Sequence, residues 1–187
     1  MTSYTSNSFL KWVSPTGCLL ALLGFFLVFT DLNCNGKTLD SITGFELVRG
    51  YKPDLDIVAD KTDEQPTETE RFRPNVFALN AMISAIFGII LFLMRAMRKQ
   101  YLTQSLITGI GFISQAALMI NLKSGLKNAA SENDSILNTN FELTFDMQAG
   151  YWIVLVLLGL ATMANILLLL NERNKPKPEE IFIEYDQ

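Results

Sequence analysis

The apolar residues of this chain are gathered into four long stretches, and most of its charged residues lie between them. A hydrocarbon core about 30 Å thick takes roughly 20 helical residues to cross, so each stretch is long enough to be a transmembrane helix. Apart from Lys11, near the start of the first stretch, the four contain no Asp, Glu, Lys or Arg. They cover residues 10–29, 76–94, 102–120 and 151–170.

This pattern predicts an all-α membrane protein, a four-transmembrane-helix bundle that forms a single membrane domain over residues 1–187. A helix satisfies its own backbone hydrogen bonds, which is the requirement that a hydrocarbon environment imposes. The remaining residues are expected to form two outer loops, at 31–74 and 121–149, and a cytoplasmic tail at 171–187.

The basic residues predict how the chain is oriented. Three of them fall in the short connection at 95–99, which contains no acid, and three more follow the last stretch at 171–177. Because Lys and Arg concentrate on the cytoplasmic side, we expect an integral membrane protein with cytoplasmic N- and C-termini. The two long, acid-containing connections would then lie outside.

Uncharged polar residues occur inside all four predicted spans. Within lipid, small and polar side chains hold helices together, because the hydrophobic effect does not. They form either hydrogen bonds between helices, which uncharged amides suit, or a ligand or ion path lined by Asn80, Gln115 and Asn165. The predicted interhelical polar contacts are Asn80, Ser84, Ser105, Gln115 and Asn165.

The outer loops contain two segments that predict strands, residues 43–48 and 141–147. We expect these to form a small extracytoplasmic β element above the bundle. Residues 121–130 have a helical composition and predict that the third helix protrudes. A two-stranded ribbon is marginal in water, so its edge is a candidate site for a partner strand. The candidate partner contacts here are Phe45, Leu47, Phe141, Leu143 and Phe145.

The end of the chain, residues 179–187, alternates apolar and polar side chains that an isolated peptide has no means of burying. It is either a frayed terminus or a docking peptide that adds a strand to a partner subunit. The candidate contacts in this segment are Ile181, Phe182, Ile183 and Tyr185.

The composition limits which catalytic and binding functions the chain can have. The chain has no histidine, the commonest general base and metal ligand, and its net charge of −4 provides no basic surface for nucleic acid. Its two cysteines, Cys18 and Cys34, would be roughly 24 Å apart along a helix, too far for a disulfide. We therefore expect no catalytic residue, no metal or cofactor site and no nucleic-acid partner.

Short motifs flank the spans: a Cys-x-Gly element, a Thr-Gly-x-x-Leu-x-x-Gly element, and a Gly-Tyr-Trp that opens the last span. Their residues are Cys34, Gly36, Thr43, Gly44, Leu47, Gly50, Gly150, Tyr151 and Trp152. In these motifs the chain resembles a group of small bacterial four-span membrane proteins, a resemblance that implies a bacterial inner membrane and no activity. Its layout is similar to that of claudins in topology only, because the claudin first-loop tryptophan and paired cysteines are missing.

Three functions remain open. The leading interpretation is a non-enzymatic accessory or scaffolding subunit of a larger membrane protein complex, since two surfaces suit protein contacts. The alternatives are a small channel or solute-permeation component formed by oligomerisation, with a pore of Gly109, Gly111, Gln115 and Asn80, and a membrane enzyme acting on lipid or quinone. The expected partners are the lipid bilayer and other membrane protein subunits, and the sequence also allows a homo-oligomer.

Overall fold

A helix bundle with a small sheet at one end is the architecture of the computed structural model, which describes residues 4–34, 37–51, 73–94, 100–132 and 143–173. In chain order its elements are α1 (Tyr4–Gly24), β1 (Val28–Cys34), β2 (Lys37–Thr43), α2 (Gly44–Arg49), α3 (Val76–Leu93), α4 (Gln100–Glu132), β3 (Leu143–Met147) and α5 (Ala149–Arg173). The end that carries the strands is called the sheet end below.

Among the described residues, three helices are long and apolar enough to cross a membrane, over Val76–Leu93, Tyr101–Ser124 and Ala149–Arg173. Their outward surfaces carry large apolar side chains: Leu93 is 74% exposed, Ile113 66% and Met163 62%. Apolar surface of this extent is stable in hydrocarbon and is unusual on a protein in water. The fold is therefore consistent with an integral membrane protein.

The long helices alternate in direction and pack through small residues. A Cβ added to Gly88 of α3 would lie 2.7 Å from Cys18 Sγ of α1, and one added to Gly111 of α4 would lie 2.7 Å from Ser84 Cβ of α3. α5 packs against both α1 and α4. Close approach at small residues is how helices associate in lipid.

The helix formed by the first apolar stretch ends earlier than predicted. The prediction was a helix over 10–29, but α1 ends at Gly24 and β1 begins at Val28. Two of the apolar residues after Gly24 are buried beneath the sheet: the rings of Phe25 and Phe29 are 1% and 0% exposed, with centroids 5.2 Å apart. Hydropathy alone does not distinguish this burial from a further helical turn.

The three strands form an antiparallel sheet in the order β2-β1-β3. A small β element built from both loops is therefore present, and the strand predicted at 141–147 is observed over its described part, Leu143–Met147. β1 stands at the centre and makes the sheet three-stranded, where the sequence predicted two strands. Sheets of three strands with an apolar face have the support that an isolated ribbon lacks.

Residues 43–48 do not form a strand, and that prediction is wrong. They begin α2, whose N-cap is Thr43. The Glu46 N–H donates to Thr43 Oγ1 at 3.2 Å and the Thr43 N–H donates to Glu46 Oε2 at 2.8 Å, so the two residues form a capping box. Gly50, with φ of 89°, ends the helix. The strand itself, β2, ends at the cap residue Thr43.

α4 extends beyond its apolar part, as predicted for residues 121–130. Its 33 residues measure about 50 Å, whereas a hydrocarbon core is about 30 Å thick. The apolar segment is Tyr101–Ser124, so the last turns project from the sheet end of the bundle. β3 lies beside this helix.

Candidate functional site

One side of α4 carries polar side chains into the middle of the bundle. Gln104 is 2% exposed, and Thr108 and Gln115 are both fully buried. Together with Gly111 they follow a spacing of four, three and four residues, which keeps them on one face of a helix. This face points towards the other helices, while residues such as Leu106 and Ile110 point outward.

The half of this polar face that is farther from the sheet is connected to two neighbouring helices. Gln104 Nε2 donates to the Gly88 carbonyl of α3 at 3.2 Å, and Thr108 Oγ1 donates to the Gln104 carbonyl at 2.9 Å. Asn165 Nδ2 of α5 donates to Thr108 Oγ1 at 3.5 Å, which is a long contact. The predicted interhelical position Asn165 therefore contributes to a network that joins α3, α4 and α5.

Three polar groups in the bundle interior have no hydrogen-bond partner among the described residues. They are Ser14 Oγ, Asn165 Oδ1, and both Nε2 and Oε1 of Gln115, and each of these atoms exposes less than 1 Å². A buried polar group left unsatisfied costs about 1–3 kcal/mol. Gln115 differs from the other two because neither end of its amide has a partner in the described part of the chain.

The other predicted interhelical residues are placed differently. Ser84 is buried against the backbone of Gly111, whereas Ser105 is half-buried. Asn80 is exposed on the outward side of α3, so the predicted ligand path through Asn80, Gln115 and Asn165 is not assembled. A spacing of four residues drifts about 40° per step on a helix of 3.6 residues per turn, which carries Asn80 away from the face of Ser84 and Gly88.

The outward face of the sheet holds a hydrogen-bonded group of polar side chains. Asp31 accepts from Ser41 Oγ at 2.7 Å and from Gln148 Nε2 at 2.5 Å, and Asp146 accepts from Asn33 Nδ2 at 2.5 Å. Asp31 and Asp146 are direct partners across β1 and β3. Like charges in such a pair repel, and neutral donors at both carboxylates offset that repulsion.

Beneath the sheet, apolar side chains join the strands to the helices. Leu47 of α2 and Phe145 of β3, two of the candidate partner contacts, belong to the same apolar cluster, and Leu47 reaches it from a helix. Phe45 is 39% exposed and stacks on Phe26 with ring centroids 5.6 Å apart. Leu143 begins β3. The candidate contacts Phe141, Ile181, Phe182, Ile183 and Tyr185 lie outside the described residues.

β3 is a regular strand at one edge of the sheet. The Gln148 N–H donates to the Phe29 carbonyl at 2.8 Å, which fixes the alternation of the ladder. Asp146 therefore directs its backbone N–H and C=O towards β1, whereas Phe145 and Met147 direct theirs to the free edge. Five consecutive pairs join β3 to β1 without a register shift, whereas the β1–β2 pairing has two shifts.

Gln104 and Ser14 are buried polar residues that were not among the predicted contacts. The signal for Gln104 was present, since positions 104, 108, 111 and 115 share one helix face. Across the described ranges, no three His, Cys, Asp or Glu side chains are placed to hold a metal ion. No protein-family model, curated protein or solved structure matches this chain.

Proposed function

We propose that this protein is a non-enzymatic accessory or scaffolding subunit of a larger membrane protein complex, and that it binds another membrane subunit through the free edge of β3. The observation that supports this most is the geometry of that edge. Phe145 and Met147 direct backbone donors and acceptors away from the sheet, and among the described strands β3 has no second neighbour. An extended segment of a partner adds to such an edge through main-chain hydrogen bonds.

The opposite edge of the sheet is less suited to strand addition. The β1–β2 pairing is interrupted by two register shifts, and the Ser41 N–H is already occupied by Asp40 Oδ1 at 2.7 Å. Irregular edges of this kind discourage pairing with another chain. The asymmetry between the two edges therefore favours β3 as the docking strand.

The sheet is held firmly on the helices, which reduces the ordering that binding requires. Gly150 of α5 lies directly under the Val28 carbonyl of β1, and the Asn75 N–H at the start of α3 donates to the Leu47 carbonyl at 2.8 Å. The exposed face beside the docking edge carries Asp31 and Asp146. A partner strand with Lys or Arg on its solvent side would complement these carboxylates.

The proposal includes four membrane crossings, with the sheet outside and both termini in the cytoplasm. The apolar part of α1 covers only Leu10–Gly24, but the whole helix has 21 residues, about 31 Å, and packs along α5. A Cβ on Gly17 would lie 3.3 Å from the Leu157 carbonyl. The basic residues at 95–99 favour a cytoplasmic position for the end opposite the sheet. The motifs given above favour a bacterial inner membrane.

Co-purification from the native membrane in mild detergent tests the proposal. We expect a partner in fixed stoichiometry with the wild-type protein and a several-fold smaller yield of it with Thr144→Lys, because lysine at a strand edge opposes strand addition. Thr38→Lys is the matched control, since Thr38 is an exposed threonine at the other edge of the same sheet. A monomer that is always purified alone, or equal losses with the two variants, would contradict the proposal.

The two alternative functions have less support. An oligomeric pore would need Asn80 and Gln115 on one surface, but Asn80 faces outward and Gln115 is buried inside the same chain. An enzyme acting on lipid or quinone would bind a headgroup through the basic residues at 95–99, which lie outside the described residues.

A further inference from the structure

Gln115 lies in a part of the bundle whose walls are apolar. Gly111, one turn away on α4, packs against Ser84 of α3 and Leu158 of α5. Because α3 and α5 run antiparallel to α4, the next turn brings Gln115 level with Ala81 and Val154. Both of these residues are fully buried, and neither has a side-chain hydrogen-bonding group.

A glutamine amide provides two donor hydrogens and an acceptor oxygen. In the described structure no atom pairs with Gln115 Nε2 or Oε1, although both are buried. Burying an amide without hydrogen bonds is among the more unfavourable arrangements of a neutral side chain, and a leucine or methionine would fill the same space without that penalty. Packing alone therefore does not explain the glutamine, whereas a bound molecule that pairs with its amide does.

We propose that Gln115 is the binding residue of a site inside the bundle for a small neutral molecule that both donates and accepts hydrogen bonds. That chemistry belongs to water and to the hydroxyl- or carbonyl-bearing head of a lipid-soluble molecule. The molecule is neutral because the described residues at this depth include no ionisable group to balance a charge. It is small because the neighbouring walls are formed by alanine and valine.

The bundle interior also has buried, unpaired polar atoms at a second depth along the helices. Asn165 Oδ1 and Ser14 Oγ are also buried without a protein partner in the part of the chain that is described. Asn165 is level with Thr108, which is seven residues and about 10 Å from Gln115 along α4. Uncharged polar atoms without a partner at these two depths suit a ligand bound by hydrogen bonds better than a ligand bound by charge. This inference is independent of the docking edge on β3.

Thermal unfolding of the full-length protein tests the site with Gln115→Met and Gln115→Leu. Each variant is compared with the wild type in two preparations, one in mild detergent with native lipid retained and one after exhaustive delipidation. Two apolar shapes are used so that a packing defect of one is not mistaken for loss of the ligand. Gln104→Met is the matched control, because Gln104 already has a protein partner in the Gly88 carbonyl.

If a molecule occupies the site, both Gln115 variants melt below the wild type by about 4 °C when lipid is retained. For a lipid-soluble ligand the difference disappears on delipidation and returns when native lipid extract is added. For water the difference is the same in both preparations. The Gln104→Met difference is expected not to depend on lipid. Melting of either Gln115 variant at or above the wild type in both preparations would show an unsatisfied amide and overturn the proposal.

Discussion

The sheet end and the interior of the bundle differ in how their polar side chains are hydrogen-bonded. At the sheet end, Asp31 and Asp146 accept hydrogen bonds from neutral side chains on the outward face of the sheet. In the interior, Gln115 is fully buried and its amide has no partner among the described residues. In the same interior, Gln104 and Thr108 do form hydrogen bonds that reach neighbouring helices, so the amide of Gln115 differs from both the sheet and the rest of the bundle.

Close contact at glycines holds the helices together in addition to the hydrogen bonds inside the bundle. An added Cβ would lie 2.6 Å from Val154 Cγ2 at Gly24, and 2.7 Å from Ser84 Cβ at Gly111. Contacts shorter than 3 Å are not sustained by real Cβ atoms, so each glycine sets the distance between two helices. The comparison thus separates residues that fix the fold from residues that are free for a ligand.

Among the substitutions considered, one at the junction between the sheet and the bundle is expected to lower the free energy of unfolding most. A Cβ at Gly150 would lie 2.5 Å from the Val28 carbonyl oxygen and 2.8 Å from Leu27 Cβ, so Gly150→Ala has to displace backbone. We expect a loss of about 3 kcal/mol, the upper part of the range for overpacking. Unfolding in detergent followed by circular dichroism measures it. An unchanged midpoint would show that the sheet is not seated on α5 in this way.

Inside the bundle, two glycines of α4 form a matched pair. Gly111→Ala should destabilise the protein by about 2 kcal/mol, because its Cβ would meet Ser84. At Gly109 the nearest atom to an added Cβ is Thr162 Cγ2, 3.7 Å away, so Gly109→Ala should be neutral or stabilising by up to about 1 kcal/mol. The same unfolding measurement serves both variants. Equal effects would contradict glycine packing as the origin of bundle stability.

At the sheet end, Thr43→Ala removes the side chain that caps α2 and accepts from the Glu46 N–H. Loss of an N-cap costs about 1 kcal/mol, so we expect a decrease of that size in the free energy of unfolding. Thr38→Ala provides the control, because Thr38 is exposed on β2. If the two alanine variants were equally stable, the hydrogen bonds of the sheet end would not contribute as the comparison requires.

The smallest effect is expected at Asn80, an amide that faces outward from α3. Asn80→Leu should change the free energy of unfolding by less than about 0.5 kcal/mol, as is usual for exposed positions. A loss of more than 1 kcal/mol would instead indicate that Asn80 contacts another helix or subunit. Thermal unfolding alongside the Gln115 variants separates an exposed amide from a buried one.

Much of the architecture followed from the sequence, because length and hydropathy determine which helices can lie in hydrocarbon. The helix of residues 76–94 was predictable in this way, whereas the protruding α4 followed from the helical composition of residues 121–130 and the strand at 143–147 from its alternation of apolar and polar residues. The end of α1 was not, because Phe25 and Phe29 are as apolar as a span but are buried by tertiary packing. The strand predicted at 43–48 failed for a local reason: the Thr43-x-x-Glu46 signature of a capping box outweighs the β-favouring side chains.

The candidate sites were predicted only in part. Uncharged polar positions inside spans are visible in the sequence, yet their direction depends on the rotation of each helix. Asn80 and Gln115 read alike in sequence, but one is exposed and the other buried. The edge geometry of β3 depends on its register against β1, which is set by contacts between residues more than 100 positions apart.

Site-specific cysteine labelling tests most directly whether the sheet lies outside the membrane and the end of α5 lies in the cytoplasm. In a background of Cys18→Ala and Cys34→Ala, single cysteines are placed by Thr38→Cys at the sheet end and by Glu172→Cys at the other end, both exposed positions. We predict that a membrane-impermeant maleimide labels Thr38→Cys in intact cells and labels Glu172→Cys only after the membrane is permeabilised. Labelling of both in intact cells, or of Glu172→Cys alone, would contradict this topology.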